Sequence, residues 1–194
     1  MADKATLVKA ALVGKADAPR FSTHVDVTAK RPKKDEPYPE NILDIILGSA
    51  TAPPTGTYLP PTQPASTTIT TQDPIVNEAW KELQERYPFV ANQVTRLDGA
   101  DNVRMKGSLG TMLPYPNRPV LQVMQGPERS QYGGKNTPDD MGRTLAHELA
   151  HVAQILNFTP GTLDTIFSPK ERYGDRLAEQ QATAVGAALK KRRK

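Results

Sequence analysis

No cysteine occurs in this 194-residue chain, so any metal site must be built from histidines and carboxylates, and disulfide staples are excluded. Lack of cysteine also agrees with a reducing compartment. Histidine is scarce too: His24, His147 and His151 are the only three. No apolar run approaches the roughly 18 residues that a membrane-spanning helix needs. Near the start, the longest such run is Ala10 to Val13, too short for the core of a secretory signal. These absences lead us to expect no membrane span and no export by the general route.

Charge of one sign is also missing from the body of the chain. The net charge is +4, but the last five residues, Lys190-Lys191-Arg192-Arg193-Lys194, are all basic. Without them, 20 basic residues stand against 21 acidic, a net of −1. Basicity therefore belongs to a tail, residues 190–194, and not to a face. No aromatic residue interleaves that tail, so base stacking has no support, and nucleic acid is not an expected partner beyond the tail.

Proline is unevenly spread. Ten of the 18 prolines fall between Pro19 and Pro74, including Pro53-Pro54 and Pro60-Pro61. Residues 49–72 are rich in Ser, Thr, Pro and Ala, a composition that favours extended chain and builds no core alone. Residues 1–72 are thus expected to form an extended Pro-rich arm. Two short helical anchors are expected in it, over 3–13 and from Pro39 to Leu47, the second carrying Ile42, Leu43, Ile45 and Ile46. The compact domain is expected over 73–189. Asp73-Pro74 reads as a helix N-cap followed by N1. Val76, Ala79, Trp80, Leu83 and Tyr87 then recur at helical spacing up to Pro88. Strands are expected within 89–125, chiefly Val103 to Met105 and Val120 to Met124, before a Gly- and Pro-marked loop over 126–136. Thr137-Pro138-Asp139-Asp140 opens a helix to about Leu156, and a last helix is expected from about Lys170 to Lys191. The fold class expected is α+β.

The middle of the Thr137 helix reads His147-Glu148-Leu149-Ala150-His151, an HExxH pattern. Residues i and i+4 lie one turn apart on one face, so both imidazoles reach one ion. Glu148, one position on, can serve as general base towards a water acidified by that ion. By composition, a chance match arises at roughly the 0.2% level. Leu145, Leu149, Val152 and Leu156 supply a packing face for the helix. A catalytic zinc usually takes three protein ligands. Position 157 is Asn, which removes the metzincin histidine, and His24 lies in the arm. The third ligand is therefore expected to be a carboxylate among Asp164, Glu171, Asp175 and Glu179. Glu179 is preferred and Asp175 comes second. Ala178, Ala182 and Gly186 surround Glu179 and would let its helix press against the HExxH helix.

His147-Glu148-Leu149-Ala150-His151-Val152-Ala153-Gln154, followed on the last helix by Glu179-x-x-Ala182, resembles the gluzincins. These are HExxH-plus-Glu zinc metallopeptidases, and the likeness is to minimal zincins of the ImmA/IrrE type. It covers about residues 75–190. The resemblance implies Zn²⁺ bound by His147, His151 and Glu179, with Glu148 as catalytic base. It also implies an active-site helix packed on a short twisted sheet whose edge strand binds an extended peptide substrate. Val120-Leu121-Gln122-Val123-Met124 is the expected edge strand. Tyr173 and Tyr132 are the candidates for stabilising the oxyanion.

Two functions are carried forward. One is a peptidase that hydrolyses peptide bonds. The other is a structural component that keeps a zincin scaffold without catalysis. The Pro-rich arm suggests a protein partner in a multi-subunit assembly, such as a phage-like virion, and hence a cytoplasmic or virion-associated location. The two functions can coexist in one particle.

Overall fold

The structure is a computed structural model. It describes residues 38, 41–52, 54, 67–100, 108–113, 119–157, 163–164, 166–170 and 172–192. The expected helix over 3–13, the strand at Val103 to Met105 and His24 lie outside the described residues. The chain runs α1 (Ile42–Ile46), β1 (Thr68–Ile69), α2 (Pro74–Arg86), α3 (Pro88–Ala91), β2 (Arg96–Ala100), β3 (Gly110–Leu113), β4 (Val120–Met124), a 3-10 turn (Pro127–Tyr132), α4 (Pro138–Asn157), a second 3-10 turn (Tyr173–Asp175) and α5 (Leu177–Arg192). The class is α+β, with an open four-stranded sheet and several helices. No described helix is long and apolar enough to cross a membrane.

Local chemistry explains α2. The Asp73 side chain accepts from the Ile75 N–H at 2.9 Å, and Pro74 occupies the first turn, where a missing N–H costs nothing. Val76, Ala79, Trp80, Leu83 and Tyr87 are all buried, as their spacing predicts. They join α4, whose Leu145, Leu149 and Val152 are fully buried, in one core.

Sheet order is β1-β2-β4-β3. The β1–β2 and β2–β4 pairs are parallel, and the β3–β4 pair is antiparallel. Val120–Met124 is therefore an interior strand and not the expected edge. Its Val120, Leu121, Val123 and Met124 are buried and only Gln122 is partly exposed, which is the pattern of a strand covered on both faces. Among the described residues the edge beside α4 is β3. Leu109 C=O accepts from Met124 N–H. Antiparallel pairing alternates, so Gly110 and Met112 turn their backbone groups away from β4.

The domain boundary expected at 73 also shifts. Ile42, Leu43 and Leu47 are buried in the same core as α2, α4 and α5, and β1 pairs with β2. A sheet edge and three core side chains thus come from the region assigned to the arm. The apolar run of α1 docks because its hydrophobic side chains leave water against the helix pair. At the other end, α5 begins at Leu177, two turns later than the expected Lys170. The 3-10 turn at 173–175 and extended residues Arg172 and Arg176 occupy the interval. The helix continues to Arg192, so residues 190–192 belong to its last turn and not to a separate tail.

Arg129 ties this architecture to α4. Its guanidinium, fully buried, donates from Nη1 to Met124 O at 2.7 Å and from Nε to Lys135 O at 3.2 Å. Nη2 donates to Asp140 Oδ2 at 3.0 Å and to Thr144 Oγ1 at 2.9 Å. Burial pulls the Arg129 pKa down, and Asp140 opposes that pull. One side chain thereby joins the end of β4, the loop after it and the first two turns of α4.

Candidate metal centre

Three side chains converge where α4 meets α5. The Nε2 atoms of His147 and His151 are 3.2 Å apart, and Glu179 Oε2 stands 3.4 Å from the first and 3.5 Å from the second. Ligand atoms of all three residues lie within 4.8 Å of one another, and the group could hold a metal ion. The rings meet edge to face, with centroids 4.9 Å apart and planes at 83°. His151 and Glu179 are buried, and His147 is partly exposed.

The donor set suits a cation. Glu179 Oε2 is buried and makes no hydrogen bond of acceptable geometry among the described residues. A carboxylate oxygen left in that condition is costly unless positive charge faces it. A metal ion would meet the need with two nitrogens and one oxygen, a set that zinc accepts. In the metal-free protein a proton on an imidazole is the substitute.

Electrostatics agree with this arrangement. Burial works to raise the Glu179 pKa, but the facing imidazoles of His147 and His151 outweigh it and hold the group at about 2. For His151, burial works downward while Glu179 and Glu148 work upward, and the net direction is up. Glu148 is pushed up, first by burial and then by Glu179, against the pull of the two imidazoles. A carboxylate held above its ordinary range beside a cation site is suited to accept a proton and return it.

Glu148 is placed by β3 as well as by its own helix. The Met112 backbone hydrogen-bonds to its carboxylate. A Cβ built on Gly110 would fall 2.8 Å from Glu148 Oε1 and 2.8 Å from Thr144 Cγ2. Glycine is therefore what lets the strand lie this close to α4.

Space for a ligand opens on both sides of Glu148. A cavity of about 350 Å³ has Gly110, Arg143, His147, Glu148, Tyr173 and Gly186 among its lining. Another of about 570 Å³ is lined by Gly110, Met112, Glu148, His151, Arg176 and Glu179 among others. Both touch β3, so one extended chain laid along that edge would pass over Glu148.

Tyr173, on the 3-10 turn before α5, lines both cavities, and its hydroxyl faces the Glu179 carboxylate. Tyr173 is largely exposed, and partial burial with the adjacent carboxylates pushes its pKa up. Arg176 stacks over the Tyr173 ring at 5.6 Å. Tyr132 is exposed on the 127–132 turn and lines neither cavity, so the structure does not bring it to the cluster. Among the other carboxylates considered as third ligand, Asp164 is exposed and outside the cluster. Glu171 and the side chain of Asp175 lie outside the described residues.

Sequence reasoning missed three contributors. Arg176 and Phe167 enter from the segment after α4, Phe167 with its ring 5.7 Å from that of His151. Gln154, one turn beyond His151, hydrogen-bonds through Oε1 to His151 Nδ1 at 2.9 Å. Its i+3 spacing from a ligand was visible in the sequence; the partners across on α5 were not.

No protein-family model, curated protein or solved structure matches the chain.

Proposed function

We propose that this protein is a zinc-dependent metallopeptidase of the HExxH-plus-Glu kind, acting on an extended peptide. The observation that carries the reading is the convergence of His147, His151 and an orphaned Glu179 oxygen beside Glu148. Both histidines of the HExxH pattern and a carboxylate from a separate helix meet at one point. Zinc bound there would supply Lewis acidity, polarising a peptide carbonyl and acidifying water.

This chain's own residues do the rest. The outward Gly110 N–H and Met112 C=O offer an extended peptide a strand edge on β3, which runs antiparallel to β4. Glu148 takes a proton from the attacking water and delivers it to the leaving amine. Its raised pKa favours the uptake of that proton. The Tyr173 hydroxyl lies beside Glu179, and its single O–H would turn from that carboxylate to the carbonyl oxygen as negative charge develops. The Pro-rich residues of the arm are read as docking the domain into a larger assembly, such as a phage-like virion; their composition is the support.

Glu148→Gln is the decisive variant. It keeps the metal ligands and removes the proton acceptor. Zinc content by elemental analysis should match wild type while cleavage of a denatured-protein substrate disappears. A wild-type protein that holds stoichiometric zinc but cleaves no peptide across a broad library would leave the structural scaffold reading standing instead. A wild-type protein that takes up no zinc would end both.

A further inference from the structure

Gln154 is almost wholly buried and carries three hydrogen bonds. Its Nε2 donates to Ala178 O at 3.1 Å and to Gln181 Oε1 at 3.1 Å, both on α5. Its Oε1 faces His151 Nδ1 at 2.9 Å. Ala178 O is a backbone carbonyl and can only accept. The amide group facing it must therefore be the NH₂, and the oxygen must face the imidazole. An oxygen facing Nδ1 requires the proton to sit on Nδ1. In the neutral ring that leaves Nε2 with a lone pair, and Nε2 is the atom aimed at His147 and Glu179.

The chain of consequences starts at a carbonyl on one helix and ends at a ligand nitrogen on another. We infer that Gln154 is a positioning residue for the metal centre: it fixes His151 as the Nδ1–H tautomer and holds α5, with Glu179, in register with the histidine pair. The inference rests on the metal reading above. It adds a residue that touches neither metal nor substrate. Ala178 immediately precedes Glu179, so the same hydrogen bond that orients Gln154 also sets the backbone carrying the third ligand. Partners of this kind, once removed, typically cost about 10- to 100-fold in metal affinity.

Two measurements test the role on the full-length protein. Long-range ¹H–¹⁵N spectra of the metal-free wild type, at alkaline pH where the rings are neutral, should show His151 protonated at Nδ1. Protonation at Nε2 overturns the inference without any variant having to fold. Zinc affinity is then compared, by competition with a chromophoric chelator, for wild type, Gln154→Met and Gln154→Glu. Gln154→Met should bind roughly 10- to 100-fold more weakly. Gln154→Glu restores an acceptor for Nδ1–H but loses both donations to α5, so it should recover only the part of the loss owed to the tautomer and bind measurably better than Met; a variant no better than Met would overturn the tautomer role. Unchanged affinity in Gln154→Met, with zinc bound normally by wild type, overturns the role of Gln154 alone. Absence of zinc binding by wild type overturns the metal reading and this role together.

Discussion

Gly110 and Glu148 meet so closely that Gly110 has no room for a side chain. Gly110→Ala would set a methyl group 2.8 Å from the carboxylate oxygen, and Glu148 would have to turn away from the cavity. The metal ligands are untouched, so zinc content and unfolding midpoint should stay near wild type. Peptide hydrolysis should fall on the order of 100-fold, the usual cost of misplacing a catalytic group by an ångström. A variant with wild-type hydrolysis would show that β3 does not position Glu148. A second prediction at this scale concerns charge in the metal-free protein. Glu179 is held at about 2 against an ordinary 4.5, so its contribution to stability is present above pH 4.5 and lost as the pH falls towards 2. His151 is raised from 6.5, so its contribution is complete below 6.5 and lost as the pH rises through the higher value. With chelator present, the stability gap between wild type and Glu179→Gln should therefore peak between pH 4.5 and 6.5. Urea unfolding across that range measures the gap, and a gap independent of pH would refute the coupling.

At the scale of elements, the site depends on how closely α5 lies on α4. Ala178 and Ala182 are fully buried, and a Cβ on Gly186 would meet Arg143 O, a backbone atom of α4, at 2.8 Å. Backbone inside a helix cannot step aside, so Gly186→Val must separate the two helices. We expect a loss of about 1–3 kcal/mol of stability, the ordinary cost of overpacking. Zinc should also bind more weakly, because Glu179 moves away from the histidines. A calorimetric scan with and without zinc checks both, and a fully stable, tightly binding variant would contradict the packing argument. The small residues around Glu179 were legible in the sequence, and so were the capping signals of α2 and α4. Both are local: spacing and cap chemistry act within a few residues. The start of α5 was not legible. Residues 172–176 are interrupted only by Gly174, and only the placement of Tyr173 and Arg176 in the cleft shows why they turn instead.

For the whole molecule, the question is where the folding unit begins. Ile42, Leu43 and Leu47 sit in the main core, and burying an aliphatic side chain of this size is worth about 1.5–3 kcal/mol. Three of them therefore amount to roughly 5–9 kcal/mol, comparable with the entire stability of many domains, about 5–15 kcal/mol. A chain starting at residue 73 should lose cooperative unfolding or drop sharply in midpoint. A chain starting at residue 38 keeps α1 and β1 and should unfold as the full protein does. Equal midpoints for the two truncations would place the boundary back at residue 73.

The sequence by itself placed His147 and His151 one turn apart on one helix face, with Glu148 one position on, because local backbone geometry imposes that periodicity. It also pointed to a carboxylate as the third member of the group, because no further histidine stands near. Tertiary structure alone decided that Glu179 completes the cluster, since it stands on a separate helix from His151 and only packing closes that distance. It alone decided that Gly110–Leu113, and not Val120–Met124, forms the strand edge beside Glu148. A short apolar run looks the same at an edge as in the middle of a sheet, because strand order is set by pairings between distant segments and leaves no mark on local spacing.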